Sequence, residues 1–510
     1  MIILSSTYKN FIVTADEMKF LEKACIEKLG VSGLTLMERA AKATKKVLLL
    51  KYPLAKSFYI CCGVGGNAGD GFALARLLHA DGYKVKVFIF CDKNEYKGDT
   101  LKNFEQLSDR NIEAINIKNV GQLEFYDEPD VFIDALFGIG LNRKIEGIYF
   151  SVIEHLNKLK TPVLSIDVPS GLDASTGDVL GISVKANCTV TFNYAKRGHY
   201  IGFGRMFCGE LHIEQIWTEE LEELNEIKTC MLNKNAIAYF IQKREYDMHK
   251  ASFGRVGVIA GSLGMVGAAV HSAMAAYECG CGLVSIFADK EVAMVCQILA
   301  PDIMVYVNKF GPETLDMLSK EALNDFLRDK DVVVLGPGLS KSRYAHEICL
   351  YIINNFDKPI ILDADALNII SEYDKVNLQN CILTPHIGEA ARLLRCSANE
   401  VSQNLFDSAK KIADSTGATV ALKGNTSVTY DTLGYSYINI KGNASLAKGG
   451  SGDVLTGIIA ALVSRGLKHL DACALGCYIL GLAAEKYTEN KSENTLSPEK
   501  IIRQFENILP

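Results

Sequence analysis

Two hydrophobic periods alternate along the chain. Short unbroken apolar runs such as FYICC (58–62), DVFIDA (130–135), PVLSID (162–167), VGVIAG (256–261), DVVVLG (331–336) and IILDAD (360–365) are too brief for helices and rich in β-branched residues, so they predict buried strands. Between them, apolar residues at helical spacing predict helices. One starts at Thr14, whose hydroxyl forms a capping box with Glu17; another covers about 34–50; others are FALARLLHADG and AAVHSAMAAYECG. Strand and helix taking turns in this way predict parallel sheets covered by helices, an α/β chain. The acidic run TEELEELNEIKTCMLNK interrupts the alternation, and the motifs change after it. It reads as a linker over 218–234, between a first domain at 1–217 and a second at 235–510.

Chemistry gathers where the predicted strands end. FYICC runs into Gly63-Val-Gly65-Gly66-Asn67-Ala68-Gly69-Asp70-Gly71 and then a helix, an order that lays phosphates on backbone amides. Asn67 and Asp70 add oxygen ligands that a plain phosphate cradle does not need. Asp134 ends the next apolar strand, ahead of a second glycine turn with Arg143 at its far end, and Asp167 and Ser170 end another across Pro169. Ligands of an open parallel sheet collect at the carboxyl ends of its strands, so these residues predict one crevice, although each Asp alone could merely cap a helix.

In the second half, NASLAKGGSGDVLTG delivers Asp453 into a long apolar helix through the turn Gly449-Gly450-Ser451-Gly452. Amides of residues 450–452 and the helix dipole suit a phosphate. A carboxylate there repels phosphate, so its use is to take a proton from a hydroxyl that attacks phosphorus, or to steer it. The turn from Gly261 to Ala268 after VGVIAG could belong to a dinucleotide-binding unit; against this, no acidic residue closes the following strand LVSIF. Further strands end in Gly336-Pro337-Gly338, in Asp363 and Asp365, in His386 and Glu389, and in Lys423, Gly424, Asn425, Thr426 and Ser427. His386, taken alone, reads as a helix cap, and Lys423 as a solvated strand end.

The 510 residues are 48% hydrophobic and 22% charged with a net charge of −6, which gives no basic footprint for nucleic acid or anionic membrane. No uncharged apolar run is long enough to span a bilayer, and the first residues lack a basic region followed by a long apolar core. A soluble cytoplasmic protein with a small-molecule substrate is expected, as a homo-oligomer. The fifteen cysteines form no CxxC pair and read as buried reduced thiols.

The first half, over roughly 10–217, resembles the YjeF N-terminal family, the NAD(P)H-hydrate epimerases. The resemblance implies a Rossmann-like three-layer α/β/α domain that interconverts the R and S forms of hydrated NADH and NADPH beside a potassium ion. It places substrate on Gly66, Asn67, Ala68, Gly69 and Asp70, on Gly138, Ile139, Gly140, Leu141, Asn142, Arg143 and Lys144, and on Asp167 as a catalytic contact. Potassium falls to Asn67, Asp134 and Ser170. The loop departs from the family's GNNGGDG, with Gly66 for the first Asn and Ala68 for a Gly. The second half carries HKASFGR, AGSLGMVGA, GPG, DADALN, TPHIGEA, ALKGNTS and NASLAKGGSGD in the order of the YjeF C-terminal family, ribokinase-like α/β/α NAD(P)H-hydrate dehydratases. That likeness implies hydrated cofactor on Ala268, Gly338, His386 and the catalytic Asp453, and adenine nucleotide on Lys423, Gly424, Asn425, Thr426, Ser427 and Gly452, with magnesium. Bacterial members use ADP and animal ones ATP; the fusion looks bacterial, so ADP is the expected donor and ATP the alternative. A vitamin-precursor or sugar kinase with a non-catalytic first half is the rival reading.

Overall fold

The computed structural model describes residues 8–125, 127–219, 221–243, 246, 248–308, 315–374 and 376–510; the apolar start at 1–7 lies outside them. The chain divides into two compact units, Phe11–Ile227 and a second that gathers residues 8–10 with Lys228–Pro510. Within the 218–234 segment, a 3-10 turn at Glu222–Glu226 belongs to the first unit and a strand at Thr229–Leu232 to the second.

In the first unit the described residues form a seven-stranded parallel sheet: β1 Ser57–Cys62, β2 Lys84–Ile89, β3 Ala114–Asn116, β4 Val131–Ala135, β5 Val163–Ile166, β6 Cys188–Phe192 and β7 Glu210–Glu214, ordered β3-β2-β1-β4-β5-β6-β7. The order reverses direction between β1 and β4, the position where such sheets open a crevice for ligand. Helices α1 Ala15–Leu29, α2 Gly33–Lys51 and α3 Gly66–Ala80 precede or follow β1. The Thr14 cap forms as its sequence predicts, with the Glu17 amide donating to Thr14 Oγ1 at 3.2 Å and the Thr14 amide to Glu17 Oε2 at 2.7 Å. Strands β1 and β4 close tightly at their carboxyl ends: a methyl group on Gly63 would stand 1.9 Å from the Leu136 carbonyl oxygen, which only glycine avoids.

The second unit carries a ten-stranded sheet among its described residues: β8 Thr229–Leu232, β9 Arg255–Ile259, β10 Leu283–Asp289, β11 Met304–Asn308, β12 Val332–Leu335, β13 Ile360–Leu362, β14 Cys381–Leu383, β15 Thr419–Leu422, β16 Ser427–Tyr430 and β17 Ser436–Asn439. Their order is β11-β10-β9-β12-β13-β14-β15-β16-β17-β8, and only the β15-β16 and β16-β17 pairs are antiparallel. Strand β10 runs two residues beyond LVSIF and does end in an acid, Asp289, contrary to the sequence reading. The carboxylate is engaged there, Oδ1 accepting from Asn308 Nδ2 at 3.1 Å. Helices α4 Val266–Glu278 and α5 Ser451–Ser464 pack backbone to backbone: a methyl on Gly457 would lie 2.2 Å from the Ser272 carbonyl oxygen. All fifteen cysteines are free and fourteen of them buried, as expected of reduced structural thiols. Among the described residues no helix is long and apolar enough to cross a membrane.

Candidate active sites

In the first unit a cavity of about 620 Å³ opens at the carboxyl ends of β1, β4 and β5. Gly66, Asn67 and Asp70 line it from the first turns of α3, residues 138–143 from the turn after β4, and Asp167 from the end of β5. The cap of α3 is Gly65, with no side-chain bond to the first-turn amides; the Ala68 amide donates to the Gly65 carbonyl at 3.0 Å, which leaves those of Gly66 and Asn67 for an anion. Three of the residues implied by resemblance stand elsewhere. Ala68 is fully buried, Gly69 backs onto Met37, whose sulfur would be 2.8 Å from an added methyl, and Lys144 is absent from the lining.

Asp134 lies fully buried beneath the cavity wall. Its Oδ1 accepts from Ser170 Oγ at 2.5 Å and the Leu136 amide at 3.2 Å, its Oδ2 from Ser165 Oγ at 2.7 Å and the Ser170 amide at 2.9 Å. Those four donors fill a carboxylate's acceptor positions. Asn67 joins the group by donating through Nδ2 to the Phe137 carbonyl at 3.0 Å, while its buried Oδ1 has no partner among the described residues. An orphaned amide oxygen next to a carboxylate and a hydroxyl is a donor set that suits a large monovalent cation.

Asp167 holds a left-handed backbone, φ 65°, unusual for a residue with a side chain and common at functional positions. Its Oδ1 accepts from Lys196 Nζ at 2.5 Å and Thr191 Oγ1 at 2.9 Å, and Lys196 Nζ also reaches Thr191 Oγ1 at 2.8 Å. Lys196 is 1% exposed, so this ion pair is shielded from water. Burial drives His199 down to about 3, so the ring is neutral: Nδ1 accepts from the Lys196 amide at 3.1 Å, which puts the proton on Nε2, 3.1 Å from the Asp167 carbonyl. Burial raises Glu22, another lining residue, to about 7, and lifts Asp70 well above the carboxylate range, with neighbouring carboxylates adding to both. Sequence reasoning missed Lys196, Thr191, His199 and Glu22. A lysine closing NYAK looks solvated in sequence, and Glu22 falls among the polar positions of α1; only the long-range contacts set them apart.

In the second unit Asp453 sits in the first turn of α5, whose cap is Gly450 at φ 94°. The first intrahelical bond runs from the Val454 amide to the Gly450 carbonyl at 3.1 Å, so the Gly452 and Asp453 amides precede it. The Ser451 amide, counted among the phosphate donors on sequence grounds, is directed at the Lys448 carbonyl at 3.4 Å. Lys423, just past β15, donates to Asp363 Oδ1 at 2.8 Å, and Asp363 is 3% exposed at its side chain. Gly452 rests on this pair: a methyl there would be 3.2 Å from Lys423 Nζ and 3.4 Å from Asp363 Oδ2. Burial and the Asp363 charge raise Asp453 to about 6, with Lys423 opposing. Burial also raises Glu389 to about 7 and lowers His386, which Lys423 and Arg392 push further down.

His386 does cap a helix, Ile387–Leu394: its Nδ1 accepts from the Gly388 amide at 2.9 Å, and its Nε2 faces Glu389 Oε1 at 3.3 Å. A parallel bridge joins His386 to Lys423, which brings the ends of β14 and β15 to one place. Gly338, at φ 60°, packs on Ala268 and Met265, each 3.0 Å from an added methyl. Asp365 serves structure, its Oδ2 accepting from the Ser340 amide at 2.8 Å. Thr426 is buried and Ser427 begins β16. The cluster of Asp363, Lys423, Glu389 and Asp453 therefore places one ammonium and three carboxyl groups around a helix N-terminus.

A family model described as YjeF-related protein N-terminus matches residues 33–198, and one described as NAD(P)H-hydrate dehydratase matches residues 256–507. The bifunctional NAD(P)H-hydrate repair enzyme Nnr of Coxiella burnetii is 34% identical over 486 residues, covering 94% of this chain and 95% of the relative. A bifunctional NAD(P)H-hydrate repair enzyme of Leishmania braziliensis is 31% identical over 501 residues, covering 93% and 89%. The fusion is thus not confined to bacteria, and it does not choose the nucleotide donor. Among solved structures, the ADP/ATP-dependent NAD(P)H-hydrate dehydratase of Bacillus subtilis co-crystallized with ATP/Mg2+ is 26% identical with a TM-score of 0.48, covering 54% of this chain and 96% of that one. With both models present in one chain and nearly its whole length shared with such relatives, the chain belongs to the family of bifunctional NAD(P)H-hydrate repair enzymes.

Proposed function

We propose that the chain repairs hydrated NADH and NADPH, with an epimerase domain at 1–217, a linker at 218–234 and an ADP-dependent dehydratase domain at 235–510, ATP being the alternative donor. The observation that carries this reading is Asp453, a carboxyl group lifted to about 6 in the first turn of a glycine-capped helix, against the Lys423–Asp363 pair. In the dehydratase, Asp453 takes the proton of the C6 hydroxyl of the hydrated ring as that oxygen attacks the nucleotide's terminal phosphate, and the bond from that phosphorus to its bridging oxygen breaks, releasing AMP from ADP or ADP from ATP. Charge on the phosphate is met by the Gly452 and Asp453 amides and Lys423. The C6–O bond then breaks, phosphate leaves with its electron pair, the ring nitrogen supplies the push, and loss of a C5 proton restores the reduced ring. Magnesium would arrive with the nucleotide's phosphates and neutralise their charge, since Asp363 is committed to Lys423. A chiral pocket accepts one C6 epimer, which is why an epimerase belongs on the same chain. We place the protein in the cytoplasm as a homo-oligomer. Incubation of the S epimer with ADP or ATP tests the reading: NADH absorbance and inorganic phosphate should appear in equal amounts, whereas a stable phosphorylated product would favour the kinase.

Lys423→Ala is expected to weaken ADP or ATP binding and leave the exchange of R and S forms unchanged. Because it strands the buried Asp363 carboxylate, it should also cost about 3–5 kcal/mol of stability in that unit. Adding Asp363→Asn should restore thermal stability without restoring binding. Calorimetric titration and thermal melting separate the two effects, and unchanged nucleotide affinity in the single variant would remove Lys423 from the site.

Asn67, Asp134 and Ser170 would hold potassium beside the epimerase cavity, where it would keep the two substrate loops ordered. The ion would take the acceptor position that the Ser170 hydroxyl proton fills on Asp134. Asp134→Ala should therefore weaken potassium binding by about 10–10²-fold and abolish any potassium dependence of epimer exchange. Thallium-205 resonance or a potassium titration of loop protection measures this; an unaltered potassium response would dismiss the ion site.

A further inference from the structure

Of the carboxyl groups that line the epimerase cavity, Asp70 belongs to the proposed substrate loop, and Glu22 is the one that the fold, that loop and the proposed ion site all leave unused. Asp134 is saturated by four donors and Asp167 is held by Lys196 and Thr191, but among the described residues no hydrogen bond or ion pair engages Glu22. Glu22 projects from the second turn of α1 into the cavity that Asp167 lines from the end of β5, so the two reach it from different elements. Interconversion at C6 needs more than a base. If Asp167 removes the hydroxyl proton and the C6–N1 bond opens to an aldehyde, the electron pair goes to the ring nitrogen, which must be protonated as it leaves.

Resting on the epimerase reading, we infer that Glu22 is a second catalytic residue, giving its proton to the ring nitrogen as the C6–N1 bond breaks and taking it back as the bond reforms on the other face. Rotation about C5–C6 presents the opposite face of the aldehyde; N1 attacks C6, Glu22 recovers the N1 proton and Asp167 returns its proton to oxygen. Nothing is consumed. The charged groups that bear on Glu22 are Lys19 on its own helix, Asp167 at the strand end and Lys196 behind it, with Asp70 from α3 coupled to it in turn. Burial first, then the Asp167 charge, keeps the Glu22 proton in place up to about pH 7. The acid form is the active one, so exchange should decline as pH rises through about 7.

The test uses the full chain without nucleotide, the purified R epimer, and chromatographic separation of R and S forms with spontaneous exchange subtracted. Glu22→Gln should lower kcat about 10²-fold while KM stays within about threefold, and the alkaline limb of the wild-type pH profile should vanish. Glu22→Asp should recover part of kcat together with that limb. A change in KM alone, or a wild-type kcat in a Glu22→Gln variant with wild-type melting, would overturn the acid role. Failure of the wild-type chain to interconvert the epimers would instead remove the epimerase reading itself.

Discussion

Replacing Asp453 by Asn should lower nucleotide-dependent dehydration of the S epimer by about 10²–10⁴-fold, roughly 3–5 kcal/mol of barrier, with nucleotide affinity nearly unchanged. The separation follows from where the groups come from. In the proposed mechanism phosphate is held by main-chain amides at the start of α5 and by Lys423, none of which the substitution removes, whereas the proposed proton acceptor is the side chain itself. The wild-type profile should carry the matching signature. Only the carboxylate accepts a proton, and burial with the Asp363 charge lifts Asp453 to about 6, so the rate should fall as pH drops through about 6. In the Asn variant that acid limb should be gone. Wild-type turnover in Asp453→Asn, or an acid limb that survives it, would show that another group takes the proton.

Asp167→Asn should cut the exchange of R and S forms by about 10²–10⁴-fold and leave dehydration of the purified S epimer at its wild-type rate. The variant keeps the shape of the strand end, but it removes the negative charge that Lys196 faces at 2.5 Å. Lys196 is then a buried ammonium without its counter-ion, so melting should fall as well. Lys196→Met in the same chain should recover stability but no exchange. A single Asp167→Asn variant that exchanges epimers normally would leave the carboxylate a structural role only.

The sequence pattern told most about strands and turns and least about pairs. The apolar runs before Asn67, Asp134 and Asp167 are strands of one parallel sheet, and the turns after them meet at one cavity, because carboxyl ends of parallel strands necessarily share an edge. Local signals such as the Thr14–Glu17 box survive for the same reason: the partners are three residues apart. Lys423 and Asp363 are 60 residues apart and Lys196 and Asp167 are 29 apart. No periodicity links such residues, and a lysine at a strand end looks alike whether water or a buried carboxylate receives it. Strand β10 shows a different failure. Ala288 ends the strongly apolar run, yet pairing with β11 carries the strand to Asp289, so hydrogen bonding rather than hydrophobicity sets its end. His386 shows how one residue answers two descriptions, a helix cap through Nδ1 and a neighbour of Glu389 through Nε2.

The central claim is that two separate sites on one chain act in sequence on one damaged cofactor. The measurement that tests it most directly is the yield of NADH from an equal mixture of R and S hydrates, given saturating ADP or ATP and the intact chain. Complete conversion is predicted, with one inorganic phosphate released per NADH and no step in the time course as the S form runs out. Conversion that halts when the S epimer is exhausted, apart from slow spontaneous exchange, or a phosphorylated product that accumulates in place of NADH, would contradict the account.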